Sequence, residues 1–168
     1  MLLPWRKRAR GNVAMQALLT ALITWLSVNH GLPANYDLPA VRFATPKKIA
    51  FIRFGAFSPK RRREVAAAYD ALAADQRNST VSVYEDKTRT IVLPVGWQGR
   101  TPAELSILIH EMVHHLQNLS GLAYACPQER EALAYEAQEK WLGLFGKSLA
   151  SEFEIDGMAL LVRTRCIY

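Results

Sequence analysis

Residues 101–121 read TPAELSILIHEMVHHLQNLSG, and this stretch decides how the rest of the chain is interpreted. It predicts a helix whose two ends are both marked. Thr101 is placed to cap the helix, Pro102 fits the first helical position, and Glu104 completes a capping box. Gly121 is typical of the residue just beyond a helix end. Apolar residues recur at helical spacing between these ends, so one side of the helix is expected to be buried.

Within this helix the pattern His-Glu-x-x-His predicts a metal site. His110 and His114 are four residues apart, so they project from one face and can bind one metal ion. Glu111 is adjacent to the first imidazole, where a carboxylate can act as general base toward a water molecule at the metal. Chance alone produces such a pattern in on the order of one chain of this length in a few hundred.

A catalytic zinc ion needs a third protein ligand and an open position for water. Glu131 is the predicted third ligand, because it lies on the inward-facing stripe of a helix that is predicted to begin at Pro127. Glu129 and Glu136 share their faces with other charged residues and are better explained as solvated charges. Glu129 remains the alternative ligand.

Four further polar residues are candidates for supporting roles around the predicted ligands. Tyr135 is suited to donate a hydrogen bond to a ligand or to an oxyanion, although a buried core tyrosine explains it equally well. Gln117 shares the face of the two histidines, and Gln138 shares the face of Glu131. His115 falls off the ligand row, so it is interpreted as a residue that supports a ligand or as a surface residue.

The rest of the chain predicts one domain over residues 1–168, of the α+β class, mostly helical with a small mixed or antiparallel sheet next to the motif helix. Further helices are predicted at residues 59–74, with Ser58 as cap, and at residues 127–145 and 149–165. Strands are predicted at residues 49–54, 80–84 and 90–95, the last two as a hairpin. Residues 31–46 predict an irregular connection.

The first thirty residues combine a basic tail, residues 1–12, with an apolar stretch, residues 13–30. A polar stripe recurs at helical spacing through the apolar stretch, which favours an amphipathic helix packed on the domain, with Asn12 as a possible N-cap, over a signal sequence or membrane span. A cytoplasmic location is preferred. Export, or membrane association through residues 1–30, is the alternative.

Charge and cysteine content narrow the classes of function. The formal net charge of +6 comes mainly from two short basic runs, and no nucleic-acid-binding motif accompanies them, so no nucleic-acid partner is expected. The two cysteines, Cys126 and Cys166, are too few for a disulfide scaffold. They could pair in an oxidising compartment or remain free thiols.

Residues 110–117, together with residues 124–127 and Glu131, resemble the gluzincin group of zincin metallopeptidases, and more narrowly a family of small bacterial zincin-like proteins. The resemblance implies a compact zincin-like fold and one zinc ion per chain, held by His110, His114 and Glu131. It also implies that an edge strand, residues 91–95, could pair with an extended peptide. The chain departs from larger gluzincins at Tyr135, where those proteins usually carry an aspartate.

These observations predict a zinc-dependent metallopeptidase-like hydrolase that acts on a peptide or protein substrate, with Glu111 as general base. The alternative is a non-catalytic binding module that the metal stabilises. That alternative predicts a closed metal site or an occluded groove, and no role for Glu111.

Overall fold

The computed structural model describes residues 4–55, 58–72 and 82–166. The elements in these ranges are mostly helices, which agrees with the predicted α+β class. In chain order they are α1 (Pro4–His30), β1 (Ala40–Ala44), α2 (Pro46–Arg53), α3 (Pro59–Ala71), β2 (Val83–Glu85), β3 (Thr90–Pro94), α4 (Pro102–Leu119), α5 (Pro127–Gly143), α6 (Leu149–Phe153) and α7 (Gly157–Thr164).

The sheet has three strands in the order β1-β3-β2, with β1 parallel and β2 antiparallel to β3. The predicted hairpin is thereby confirmed for its described part, while residues 80 and 81 lie outside the described residues. The prediction that residues 91–95 form an edge strand is wrong. β1 occupies the far side of β3, and Ile91, Val92 and Leu93 are buried as expected for a central strand.

Two predictions upstream of the hairpin are wrong. Residues 49–54, predicted as a strand, belong mainly to helix α2, and β1 lies inside the stretch that was predicted to be irregular. Helix α2 begins in the same way as the motif helix. Thr45 Oγ1 accepts a hydrogen bond from the Lys48 amide at 3.4 Å, and Pro46 occupies the first turn.

The motif helix α4 is confirmed at both ends. The Glu104 amide donates to Thr101 Oγ1 at 3.1 Å and the Thr101 amide donates to Glu104 Oε2 at 3.2 Å, which is a complete capping box. Two indole groups also bind the first turn. Trp97 Nε1 donates to the Glu104 carbonyl at 2.9 Å, and Trp141 Nε1 donates to the Pro102 carbonyl at 3.1 Å. The start of α4 is therefore fixed from several directions.

Helix α1 packs on the domain as predicted, but its boundary differs. It begins at Pro4, so the predicted separate tail is wrong for residues 4–12, and the cap at Asn12 is wrong as well. Residues 1–3 lie outside the described residues. Its inner face lies in the main hydrophobic core, which contains Leu19, Leu22, Ile23 and Leu26. Val13–His30 is also long and apolar enough to cross a membrane, judged by length and composition alone.

The end of the chain differs from the single predicted helix over residues 149–165. Two short helices, α6 and α7, are separated at Glu154, which has a positive φ of 56°, and Asp156 caps the second. Cys126 and Cys166 form a disulfide with a Cα–Cα distance of 5.8 Å. The bond joins the residue before α5 to the segment after α7, so the question of pairing that the sequence left open is answered in favour of a disulfide. The predicted helix over residues 127–145 is α5, which ends at Gly143.

Candidate metal centre

The three predicted ligands meet at one point between α4 and α5. His110 Nε2 lies 3.2 Å from His114 Nε2 and 3.0 Å from Glu131 Oε2, and His114 Nε2 lies 3.3 Å from Glu131 Oε1. The two imidazoles are buried, and the carboxylate is partly exposed. We call His110, His114 and Glu131 the three-ligand group; it could hold a metal ion.

Each ligand imidazole has one glutamine beside it, and that glutamine determines which ring nitrogen carries the proton. Gln138 Oε1 lies 3.1 Å from His110 Nδ1, and the Gln138 amide nitrogen donates to Ser106 Oγ at 3.2 Å. Ser106 must accept there because its own hydroxyl donates to the Ala103 carbonyl. The oxygen of Gln138 therefore faces the imidazole, and His110 Nδ1 is the donor.

The same reasoning applies to the second imidazole. Gln117 Oε1 lies 3.0 Å from His114 Nδ1, while the Gln117 amide nitrogen donates to the Arg130 carbonyl at 3.0 Å. A carbonyl can only accept, so the orientation of Gln117 is fixed and His114 Nδ1 is also a donor. In the neutral imidazoles both Nε2 atoms then present lone pairs toward Glu131, which is the state that binds a metal ion. Without a metal ion, a proton on Nε2 takes its place and makes the hydrogen bond to Glu131.

Lone pairs on two imidazoles and a carboxylate repel one another unless a cation lies among them. The directions of the pKa shifts in this group agree with a site that favours positive charge. Burial lowers the pKa of His114, but the hydrogen bond to Glu131 and the charge of Glu111 outweigh it and hold the pKa above the ordinary 6.5. Burial raises the pKa of Glu131, but hydrogen bonds to both histidines hold it well below the ordinary 4.5. The donors present therefore fit a bound divalent metal.

Glu111 lies beside the three-ligand group without belonging to it. It is 5% exposed, and Ser82 Oγ donates to its Oε1 at 2.6 Å. This hydrogen bond orients the carboxylate and leaves Oε2 without a partner among the described residues. The serine, 29 residues earlier in the chain, carries no sequence signal that would have predicted its role.

Two cavities meet at Glu111, and both are lined by Arg53, Ser82 and His110. The first, the Tyr135 cavity, has a volume of about 120 Å³ and continues along Tyr135, Phe153 and Arg163. The second, the Glu131 cavity, continues along Tyr84, His114 and Glu131. The carboxylate of Glu111 is thus reachable from both sides of the three-ligand group.

Tyr135 lies against the first ligand but is not one of the ligands. Its ring is nearly perpendicular to that of His110, with ring centroids 4.7 Å apart, and its hydroxyl accepts a hydrogen bond from Arg163 at 3.2 Å. The side chain is 5% exposed, and the structure shows it on the wall of the Tyr135 cavity. It is therefore both a packing residue and a polar group next to Glu111.

His115 is fully buried, so the surface interpretation of this residue is wrong. Its Nε2 donates to the Asp37 carbonyl at 2.6 Å, and its Nδ1 accepts from the Tyr84 hydroxyl at 3.0 Å. Burial lowers the pKa of His115 below 6.5, which agrees with a neutral ring. The residue ties α4 to β2 and to the segment after α1. It lies outside the three-ligand group.

The other candidate carboxylates are accounted for elsewhere. Glu129 Oε2 accepts the Ala125 amide at 2.6 Å, which uses this carboxylate as a local cap before α5. Glu136 is exposed and lies 3.5 Å from His30 Nδ1. Neither belongs to the group that could hold a metal, so Glu131 and not Glu129 is the third member.

Besides Ser82, the sequence interpretation missed a supporting residue next to the second ligand. Arg130 forms a bidentate ion pair with Asp86 at 2.7 and 2.8 Å, and it also donates to the His114 carbonyl at 3.0 Å and to Gln117 Oε1 at 3.3 Å. It links the turn between β2 and β3 to the second ligand. Glu131 is its neighbour in sequence, but the helical spacing that predicts Glu131 as a ligand does not indicate Asp86 as a partner of Arg130.

The fold and the site together define a mostly helical α+β protein in which two adjacent helices bring together three side chains that could hold a metal ion. The chain belongs to the family described as Domain of unknown function (DUF6647), whose family model matches residues 11–168. No curated protein matches the chain, and no solved structure matches it either.

Proposed function

We propose that this protein is a zinc-dependent hydrolase of the zincin type that cleaves peptide bonds, with one zinc ion per chain. The observation that carries the proposal is the convergence of His110 Nε2, His114 Nε2 and Glu131 beside the buried carboxylate of Glu111. Two imidazoles and one carboxylate with space beside them are a typical donor set for catalytic zinc. Zinc bound there would supply Lewis acidity toward a carbonyl oxygen and would acidify a water molecule.

Glu111 is the proposed general base. Its Oε1 is held by Ser82, so Oε2 is the atom that would accept the proton of the attacking water and pass it to the leaving amine. The hydroxyl of Tyr135 accepts from Arg163 and keeps its own proton for donation. It is therefore available to an oxyanion formed at the substrate carbonyl.

The substrate is proposed to lie along β2. Strand β2 pairs with β3 on one side only, which leaves its other edge unpaired among the described strands. Val83 and Tyr84 of this strand line the Glu131 cavity together with His114. An extended peptide that pairs with this edge would gain backbone hydrogen bonds beside the three-ligand group, with little dependence on its sequence.

The alternative, a non-catalytic module stabilised by its metal, draws less support. Such a site should be closed, with all metal positions taken by protein side chains. The two cavities that reach Glu111 leave room at the three-ligand group instead. A buried carboxylate that lines this space and is not one of the ligands supports catalysis over a binding module in which the metal is only structural.

Metal content and cleavage test the proposal together. Elemental mass spectrometry on the purified protein should give one zinc per chain, lost in His114→Ala and Glu131→Ala. Glu111→Gln should keep the zinc and lose cleavage of a denatured protein or peptide pool by about 10²-fold or more. Glu129→Gln is the matched control, because Glu129 lies on the same helix as Glu131. This variant should keep both the zinc and the cleavage activity. If the wild type binds zinc but cleaves nothing, the catalytic proposal is contradicted. It is also contradicted if Glu111→Gln cleaves as fast as the wild type.

A further inference from the structure

Two exposed arginines are among the residues that line the Tyr135 cavity. Arg53 is the last residue of α2, and Arg163 lies in α7, so the two are far apart in sequence but line one small space that Glu111 also lines. Half-buried Phe153 and Ile155 complete the wall between them. Both arginines are exposed to solvent, so an incoming carboxylate can reach them, and Phe153 and Ile155 would shield one side of an ion pair formed there.

These two arginines differ from other arginines around the site. Arg89 pairs with Asp37, and Arg130 pairs with Asp86. By contrast, no carboxylate within the described ranges pairs with Arg53. The partner of Arg163 is the neutral hydroxyl of Tyr135. Positive charge at this cavity is therefore not neutralised by the described protein.

The charge count within the cavity is also one-sided. Glu111 is the single acidic residue among the described residues that line it. In the proposed function this carboxylate faces the metal centre and handles a proton, so it does not serve as a permanent partner for a guanidinium. The Glu131 cavity, in contrast, contains two carboxylates and two arginines. The positive potential is therefore concentrated on the Tyr135 side of the site.

We infer that the Tyr135 cavity binds a carboxylate of the substrate through Arg53 and Arg163, so that the preferred substrates are peptides with a negative charge close to the cleaved bond. This inference rests on the proposed function and specifies its substrate class. The guanidinium fork matches a carboxylate with two parallel hydrogen bonds. The carboxylate comes either from the free end of a peptide chain or from an aspartate or glutamate side chain.

The size of the cavity agrees with this occupant. A volume of about 120 Å³ is large enough for a chain terminus or a short acidic side chain. The hydrogen bond from Arg163 to Tyr135 restrains one guanidinium before any ligand arrives. A restrained donor loses less conformational freedom on binding, which favours affinity.

Binding to a protein that cannot turn over the ligand tests the inference directly. The zinc-loaded Glu111→Gln protein is titrated calorimetrically with three N-acetylated peptides of one neutral sequence: a free C-terminal acid, its C-terminal amide, and an amide with one internal glutamate. We expect at least one carboxylate peptide to bind about tenfold or more tightly than the neutral amide. The free acid and the internal glutamate distinguish a chain end from a side chain.

Arginine variants made in the same Glu111→Gln background identify the binding groups. Arg163→Gln and Arg53→Gln should each remove most of the preference for the carboxylate, while the neutral amide binds as before. Arg42→Gln is the control, since Arg42 is an exposed arginine on β1 that lines neither cavity. Equal binding of all three peptides, or a preference that both variants retain, would overturn the inference.

The two proposals fail in different ways. Wild-type protein that cleaves amidated neutral peptides as well as acidic ones keeps the proposed function and overturns the inference. Selective carboxylate binding that depends on both arginines, in a zinc-loaded wild-type protein that cleaves neither these peptides nor the denatured protein or peptide pool, supports the cavity and overturns the proposed hydrolase activity.

Discussion

Gln138 shows how a single uncharged side chain controls a metal ligand. It accepts the Nδ1 proton of His110, so the other ring nitrogen is left bare toward Glu131. Replacing it with leucine, which has a similar shape and no acceptor, should lower zinc affinity by about 10- to 100-fold. Competition with a zinc chelator of known affinity measures the change.

The control for this substitution is Gln128→Leu, because Gln128 is exposed on the same helix. Its zinc affinity should stay at the wild-type value. An unchanged affinity in Gln138→Leu would mean that the ligand ring is positioned by packing alone, for example against Tyr135.

The ligands themselves were predictable from the chain, because helical periodicity alone places two imidazoles four residues apart on one face and Glu131 on an inner stripe. The partners of the ligands were less so. Gln117 and Gln138 share faces with the ligands and could be named as candidates. Ser82 and Asp86 reach the site only through the sheet and its turn, and no local pattern reports such contacts.

Helix α4 depends on its first turn, where Glu104 accepts three backbone amides. Burial raises the pKa of Glu104, but hydrogen bonds from the amides of Gln98, Arg100 and Thr101 outweigh it and hold the pKa below the ordinary 4.5. A folded-state pKa below the unfolded value means that the ionised group adds stability above pH 4.5. That stability is lost as the pH falls through the folded-state pKa.

Glu104→Gln should therefore lower the free energy of unfolding by about 1 kcal/mol at neutral pH. The difference from wild type should disappear in acid, below the folded-state pKa. Urea denaturation at a series of pH values measures it. Glu154→Gln, at an exposed glutamate, should show no such pH-dependent difference. A gap that persists in acid would show that the charge of Glu104 is not its source.

The disulfide acts at the scale of elements, since it joins the start of α5 to the segment after α7. The bonded cysteines are 40 residues apart, so the cross-link restricts a long loop in the unfolded chain. Cys126→Ser with Cys166→Ser should lower the free energy of unfolding by about 2–4 kcal/mol. Denaturation with and without a reducing agent measures the same difference in the wild type.

In the double serine variant the reducing agent should have no further effect, which makes it the control. Arg163 lies on α7, three residues before Cys166, so the Tyr135 cavity should also become less ordered when the bond is absent. Wild-type stability that does not respond to reduction would contradict a structural role for the cross-link.

A marked cap helped to predict an element only where the residues after it also had helical spacing. Thr101, Pro102 and Glu104 gave α4 its boundaries in advance. Thr45 and Pro46 carry a similar signal for α2, but the short apolar run over residues 49–54 also suits a strand, and length alone did not decide between the two. β1 was missed because its five residues form a strand only by pairing with β3, a non-local contact.

At the scale of the whole molecule, α1 belongs to the core. Ile23 and Leu26 are both 0% exposed and pack in the cluster that supports the motif helix. Ile23→Ala and Leu26→Ala should each lower the free energy of unfolding by about 2–4 kcal/mol. Val28→Ala is the control, because Val28 is 79% exposed and should change the stability by less than about 0.5 kcal/mol.

The same packing bears on the location of the protein. Proteolytic removal of α1 would remove four buried side chains from the main core, so a folded, zinc-binding protein that lacks residues 1–30 would contradict this account of the core. A protein that keeps α1 could be unattached, or it could be held at a membrane by the face of α1 that does not pack on the core. Fractionation of cells that express the full chain distinguishes the two.

The indole contacts at the start of α4 give the molecule an optical reporter. Trp97 and Trp141 both donate to carbonyl groups of the first turn, and Trp25 lies edge-on to Trp141 with ring centroids 5.5 Å apart. Three of the four tryptophans in the chain therefore surround one helix terminus. Intrinsic fluorescence should therefore report the opening of this terminus. Emission and zinc release recorded together during unfolding would show which of the two events comes first.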